Sequence, residues 1–361
     1  FFAAIQQRDH LLAPPYHFYQ SVVRFFEEAA YDPAVTHIKI TQYRVAKQSR
    51  IMNALIEAVE AGKQVFVFIE VKARFDEEAN LEWGEKLEQA GVKVQYSMPG
   101  LKVHSKMALV RREVAGEEQF YTYLSTGNFH EVTAKIYCDF GLFTVDERLT
   151  SEVARLFTFL ETEQAPKQAF EHLLVGQFNL RSQLEMMIDR EVQQAKAGKP
   201  SGITLKMNGI HDEKMIQKLY GAARAGVPIR LIVRGICSIV PGLPDLSEKL
   251  EAISIVDRYL EHGRVFIFEN NGEEKIYLSS ADWMTRNLSW RIEAIFPIYD
   301  ENIKKQLKDV VELQWKDNVK ARILDKDLHN CYREINPDFP IQSQVETYYY
   351  FKRLAAETGA A

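Results

Sequence analysis

Leu124-Ser125-Thr126-Gly127-Asn128-Phe129 and Leu278-Ser279-Ser280-Ala281-Asp282-Trp283 are two spellings of one loop. Adding 154 to a position in the first copy lands on its partner in the second, without a gap, from residue 124 to residue 146. Within that run Asp139 falls on Glu293 and Asp146 on Asp300, and a helical pattern closes each copy, about 150–160 and 301–315. Strand–helix rhythm alone recurs in unrelated domains, but a gapless run that keeps a polar loop points to an internal duplication.

The stretches upstream share a looser grammar. Ile38-Lys39-Ile40-Thr41 reads as a strand, a helix from about Ser49 puts Ile51, Leu55, Ala58 and Val59 on one face, Gly62 stops it, and 65–71 is a buried strand. In the second copy Ile203-Thr204-Leu205 opens, a helix from Asp212 aligns Met215, Ile216 and Leu219, Gly226-Val227-Pro228 ends it, and Ile229-Arg230-Leu231-Ile232-Val233 follows. A capping residue, an apolar face at helical spacing, a terminal glycine and a β-branched run are what a βαβ unit requires. The expected fold is α/β: two tandem domains, each a mixed β-sheet flanked by helices, over 1–165 and 166–340, with a helical tail over 341–361. The division falls in the polar stretch around Pro166.

Composition agrees with two ordinary cores. The 361 residues are 46% hydrophobic and 26% charged, and no apolar run approaches the roughly 18 residues of a membrane-spanning helix. Three cysteines without C-x-x-C spacing exclude a disulfide framework or a zinc site and suit a reducing cytoplasm. A net charge of −5 argues against a general nucleic-acid coat, so a polyanionic substrate would need a local basic cleft. The opening Phe1-Phe2-Ala3-Ala4, without Met, suggests part of a longer protein.

Each copy carries a histidine followed two residues later by a cation. The first stands in Gly100-Leu101-Lys102-Val103-His104-Ser105-Lys106-Met107-Ala108-Leu109, the second in Tyr259-Leu260-Glu261-His262-Gly263-Arg264-Val265-Phe266-Ile267. Strand residues two apart share a face, which pairs His104 with Lys106 and His262 with Arg264. A neutral imidazole is a competent nucleophile near pH 7, and a fixed cation beside it stabilises charge on phosphoryl oxygens. Asn128 or Asp282 is expected to orient a ring through its other nitrogen. Both histidines are expected to face one anion. The remaining histidines, His10, His17, His37, His130, His172, His211 and His329, have no repeat partner and read as structural.

Other cations sit where α/β sheets place ligands. Arg74 follows the carboxyl end of a buried strand, and Arg234 occupies the equivalent end in the second copy, where the first has Glu70. Arg44, Lys47 and Arg50 cluster at a helix start, against the macrodipole, which predicts a bound anion there. Asp76, Glu77 and Glu78 read as a solvated helix start.

At these residues the chain resembles a known family. H-x-K…G-x-N with a second histidine copy resembles the phospholipase D superfamily. Tyr43-Arg44-Val45-Ala46-Lys47-Gln48-Ser49-Arg50, the 73–80 stretch, Ser125–Phe129, Ser254–His262 and 278–284 are more specifically similar to the C-terminal half of the ATP-dependent (type 1) polyphosphate kinase family, from about Arg8 to Tyr332. The resemblance implies two phospholipase D-like domains and reversible transfer of the ATP γ-phosphate to inorganic polyphosphate, with polyphosphate able to rephosphorylate ADP. It implies that His104 is the residue phosphorylated, and that His262 binds nucleotide phosphates or serves as acid/base. Tyr137 and Arg234 match nucleotide contacts, joined by Lys106 and Arg264 beside the histidines. Arg44 and Arg74 match the Mg²⁺-bearing phosphate site. A guanidinium has no lone pair for a metal, so phosphate clamping beside Mg²⁺ is the role expected of both. The family also has an upstream half that supplies part of the nucleotide pocket. Partners implied are polyphosphate and adenine nucleotide, with no nucleic acid, no transmembrane segment, a homo-oligomer for the full-length protein, and a cytoplasmic location with peripheral membrane association left open. Two other classes stay open: a phosphodiesterase or nuclease of the wider superfamily, against which Arg264 in place of Lys speaks, and a non-enzymatic polyanion-binding module.

Overall fold

A computed structural model describes residues 1–71, 77–97 and 100–357 of the chain. In chain order the first stretch holds α1 (Phe2–Gln7), β1 (His10–Leu12), α2 (Gln20–Tyr31), β2 (Val35–Gln42), α3 (Arg50–Glu60), β3 (Gln64–Ile69), α4 (Glu77–Gln89) and β4 (Lys93–Tyr96). It continues with β5 (Lys102–Val103), β6 (Lys106–Val114), β7 (Glu117–Ser125), β8 (Tyr137–Cys138), β9 (Gly141–Thr144), α5 (Glu147–Thr162) and β10 (Leu174–Val175). The second holds α6 (Leu180–Lys196), β11 (Ile203–Met207), α7 (Glu213–Arg224), β12 (Ile229–Val233), β13 (Leu250–Ile255), β14 (Leu260–Glu261), β15 (Arg264–Phe268), β16 (Lys275–Ser279) and α8 (Thr285–Trp290). Then come β17 (Arg291–Ile292), β18 (Ala294–Pro297), α9 (Glu301–Lys316), β19 (Ala321–Ile323) and α10 (Ser343–Glu357).

The chain divides into two compact units, Phe1–Asn179 with Ser289–Phe296, and Leu180–Leu288 with Pro297–Ala361. In the first unit the sheet runs β1-β9-β7-β6-β2-β3-β4. There β2, β3 and β4 are parallel, and β6, β7, β9 and β1 continue antiparallel. In the second unit β11, β12 and β13 are parallel, β15 and β16 are antiparallel on one side, and β19 is antiparallel on the other. The same mixed pattern in both units is the duplication expressed as topology, as the sequence grammar predicts.

Local chemistry explains the boundaries. Ser49, Asp146, Asp212 and Asp300 each accept a backbone N–H in the first turn of α3, α5, α7 and α9, the N-cap role their short polar side chains suit. Asp146 and Asp300, matched at one offset in the sequence, therefore do the same work in the two units. Val22, Phe25 and Phe26 of α2 and Ile51 and Leu55 of α3 pack on Ile38, Ile40, Val67 and Ala108 of the sheet. In the second unit Leu205, Leu219, Leu231, Ile253, Phe266, Trp283 and Leu307 are fully or almost fully buried.

The polar stretch after α5 is less loose than its composition suggests. Buried Glu152 accepts the N–H groups of Glu171, His172 and Leu173 at 2.7, 3.1 and 2.7 Å. Removing a carboxylate that satisfies three backbone donors strands all three. Glu152→Ala is expected to lower unfolding stability by about 3 kcal/mol, read as a fall in the urea midpoint, whereas Ser151→Ala on the exposed side of α5 stays within about 0.5 kcal/mol.

Candidate active site

The antiparallel pairing of β6 with β2 puts the start of β6 beside the carboxyl end of β2, with Ile40 opposite Ala108. His104 lies in the short gap between β5 and β6. Several side chains fix that gap. The Thr41 hydroxyl donates to the Ser105 carbonyl (2.8 Å) and accepts the Met107 N–H (3.1 Å). Buried Glu70 at the end of β3 accepts the Val103 N–H (3.1 Å) and the Ser97 hydroxyl (2.9 Å). The Ile292 carbonyl of β17 accepts the N–H groups of both His104 (2.9 Å) and Ser105 (3.1 Å).

β17 pairs parallel with β5, Ile292 opposite Val103, and delivers the next residue, Glu293, to the imidazole. His104 Nδ1 lies 2.9 Å from Glu293 Oε2, with side-chain exposures of 12% and 0%. An ionised carboxylate at that distance accepts from an Nδ1–H, the tautomer that leaves the lone pair on Nε2 when the ring is neutral. Gly176 lets this segment pass, because a Cβ there would lie 2.1 Å from the Arg291 carbonyl.

Tyr43 and His104 meet at nearly right angles, 4.6 Å between ring centres, and the Nζ atoms of Lys102 and Lys106 lie 5.9 and 5.2 Å from the Tyr43 ring centre. Burial raises the Tyr43 hydroxyl pKa above its ordinary value; the Arg291 and Arg44 charges pull it back, and the Glu70 and Glu293 carboxylates add to the rise. The Tyr43 loop is anchored by buried Asn80, whose amide donates to the Tyr43 and Glu70 carbonyls (3.0 and 2.9 Å) and accepts the Val45 N–H (3.2 Å).

The second histidine is braced differently. Three successive carbonyls are each held by a side chain: Glu261 by Arg234 Nε (2.6 Å), His262 by Asn208 (3.1 Å), and Gly263 by Lys206 (2.9 Å). Arg264 forks onto Asp282 at 3.2 and 2.9 Å, and its Nη1 also donates to the His262 carbonyl (2.8 Å) and lies 3.2 Å from His262 Nε2. In the first unit Lys106 Nζ donates to the His104 carbonyl in the same manner. The cation two residues after each histidine thus closes a small ring onto the histidine's own backbone. Burial raises the Asp282 carboxyl, but the Arg264 charge and hydrogen bonds, with the Asn208 N–H, override it and hold the pKa at about 2.

Several expectations change. Glu293, not Asn128, meets the His104 Nδ1, and Asp282 is bound to Arg264 rather than to a ring nitrogen. The N-terminus of α3 is met by Glu131, which accepts from Ile51 N–H (3.3 Å) and the Ser49 hydroxyl (2.8 Å), while Arg50 is paired with Glu27 at 2.6 Å. The helix N-terminus itself is therefore occupied by a carboxylate of the protein. Tyr137 is half-buried at the start of β8. Arg74 and Asp76 lie outside the described residues. Among the described residues no group of three or more His, Cys, Asp or Glu is placed to hold a metal, and the Arg44 guanidinium has no lone pair to offer. A Mg²⁺ ligand role does not fit Arg44.

Two mixed α/β units, each with a histidine–x–cation turn before an antiparallel strand, define the phospholipase D-like class. Phosphatidylserine synthase from Haemophilus influenzae Rd KW20 shares this fold at a TM-score of 0.61 and 12% identity, covering 98% of this chain and 94% of that one. Polyphosphate kinase from Porphyromonas gingivalis superposes at a TM-score of 0.92 with 43% identity, covering 98% of this chain and 54% of that one. Residues 1–166 match polyphosphate kinase C-terminal domain 1 and residues 173–344 match domain 2. Polyphosphate kinase of Escherichia coli (strain K12) is 48% identical over 353 residues, 98% of this chain and 51% of the relative. That of Vibrio vulnificus (strain YJ016) is 48% identical over 358 residues, 99% of this chain and 51% of the relative. The chain belongs to the polyphosphate kinase family and corresponds to its C-terminal half. It spans about half the length of the curated relatives it matches.

The depressed Asp282 pKa carries a stability consequence. A carboxyl that titrates lower in the folded state than in the unfolded chain stabilises the fold above the unfolded pKa, and that contribution is lost as pH falls through the folded value. Here the window runs from about pH 4 down to about 2. Asp282→Asn is expected to cost about 2 kcal/mol at pH 7 and to converge with the parent near pH 2, checked by urea unfolding across that range.

Proposed function

We propose that this chain transfers a phosphoryl group reversibly between ATP and inorganic polyphosphate, with His104 as the residue phosphorylated. The observation that supports this most directly is the His104 Nδ1 contact with the fully buried Glu293 carboxylate. With Nδ1 protonated, the Nε2 lone pair attacks the γ-phosphorus. The N–P bond forms as the bond from phosphorus to the β–γ bridging oxygen breaks, and ADP departs with that electron pair. The ring becomes more cationic as the bond forms, and the Glu293 charge stabilises it. Lys102, Lys106 and Arg44 offer positive charge to the phosphoryl oxygens. A terminal polyphosphate oxygen then attacks phosphorus, the N–P bond breaks, and the imidazole returns to its starting form.

His262 is proposed to serve the same reaction, at the nucleotide phosphates or as acid/base, with Tyr137, Arg234 and Arg264 as nucleotide contacts; the family resemblance supports these roles. Arg74 joins Arg44 as a phosphate clamp on the same ground. Mg²⁺ would enter on the phosphates of the nucleotide substrate. The division at 1–165, 166–340 and 341–361, a cytoplasmic location and a homo-oligomer for the full-length protein belong to the same reading. No helix among the described residues is long and apolar enough to cross a membrane.

Incubation with γ-labelled ATP is expected to leave acid-labile label on the chain, located at His104 by intact-protein and peptide mass spectrometry, and absent from His104→Ala. Label that persists unchanged in His104→Ala overturns the assignment. Hydrolysis of bis-p-nitrophenyl phosphate without ATP, in place of labelling, would favour a phosphodiesterase. Glu293→Gln keeps the size of the side chain but removes its charge, and is expected to slow label formation about 10- to 100-fold.

A further inference from the structure

The tail of the chain offers least chemistry in the sequence, where it reads as a surface or packing helix. The structure buries one face of its start: Ser343, Gln344 and Thr347 are all buried. The Gln344 amide is fully engaged with the segment that leads into His262. Its Oε1 accepts the Tyr259 N–H (2.9 Å), and its Nε2 donates to the Tyr259 carbonyl (2.9 Å) and to Glu261 Oε1 (2.8 Å). A primary amide bonded to both the N–H and the C=O of one residue copies a strand partner, so Gln344 adds one rung of sheet just before His262. Gln342 donates to Asp257 in the same segment at 2.8 Å.

The network continues past the histidine. Glu261 is buried, and its Oε2 accepts from Gln314 of α9 (2.9 Å) and lies 3.1 Å from Lys206 Nζ. Lys206, also buried, donates to the Gly263 carbonyl. The helix is itself fixed, because buried Asp317 accepts the Ser343 N–H (2.7 Å) through Oδ2 and the N–H groups of Val319, Lys320 and Ala321 through Oδ1. The residues on either side of His262 therefore share one buried set of donors and acceptors, and α10 supplies the end of it.

We infer that Gln344 is a positioning residue for His262, acting through Tyr259 and Glu261. Without its amide, Glu261 Oε1 loses a donor and the Tyr259 N–H and carbonyl each lose one hydrogen bond. Lys206, already shared between Glu261 and the Gly263 carbonyl, is then drawn further onto the carboxylate and away from Gly263, and the turn that carries the imidazole relaxes. The catalytic consequence rests on the reading of His262 as a participant in phosphotransfer.

The test uses Gln344→Met, of similar length but without hydrogen bonds, with Tyr349→Ala on the exposed side of α10 as control. Ring ¹⁵N and ¹H signals of His262 are followed by NMR through a pH titration, beside thermal midpoint, kcat and KM. Gln344→Met is expected to move the His262 ring signals and lower kcat about 10-fold or more at near-normal KM, with the chain still folded, while Tyr349→Ala changes neither. Should the Met variant not fold, Gln344→Glu supplies the second arm: its carboxyl donates to Glu261 only when protonated, so the His262 ring signals should differ from those of the parent at the same pH near neutrality and approach them at lower pH. Ring signals unchanged in Gln344→Met, or Gln344→Glu signals that match the parent at every pH, would overturn the inference. The ring readout needs no turnover. Moved signals in a chain whose parent forms no phosphoenzyme would refute the phosphotransfer reading and leave the positioning role standing.

Discussion

One carboxylate governs the first unit. Glu293 is wholly removed from solvent, and an ionised side chain buried in that way is tolerated only where hydrogen bonds or opposite charge compensate it. The His104 ring supplies part of that compensation at 2.9 Å, in a setting where Lys102 and Lys106 lie over the Tyr43 ring. A carboxylate on Nδ1 fixes the direction of the imidazole. The surrounding fold is organised to keep it so: Thr41, Glu70 and the Ile292 carbonyl each fix backbone within two or three residues of the histidine.

The two units solve the same problem with opposite signs. At the end of β3, Glu70 accepts the N–H of the residue before His104, while at the end of β12, Arg234 donates to the carbonyl of the residue before His262. Acceptor and donor have been exchanged, yet both secure the step into the histidine. The cation after each histidine is likewise shared in role but not in strength of fixation. Lys106 turns back on the His104 carbonyl, whereas Arg264 adds a two-pronged bond to Asp282. A planar guanidinium suits that fork and an ammonium does not, which gives the Lys-to-Arg difference between the copies a geometric reason.

Much of this was legible in the sequence because it is local. The caps Ser49, Asp146, Asp212 and Asp300, the strands at 38–41 and 229–233, and the pairing of each histidine with a cation are written within a few residues of one another. The roles that escaped are those that act at long range. Glu293 stands 189 positions from His104, and its only trace was that it matched Asp139 as an acid in both copies. Glu131 reaches the N-terminus of α3 from 80 residues away, and nothing near the helix start in the sequence marks it. Gln344 gave no signal at all, since a glutamine in a polar tail becomes a strand surrogate only once the chain has folded.

Residues 289–296 lie late in the second copy yet belong to the first compact unit, between two stretches of the second. The duplication therefore did not leave two detachable modules. Any fragment cut at the linker would keep His104 and lose the carboxylate on its Nδ1, so the repeat boundary visible in the sequence and the boundary of the compact unit that holds His104 are different places. A substitution within 289–296 is therefore felt at the histidine of the other repeat.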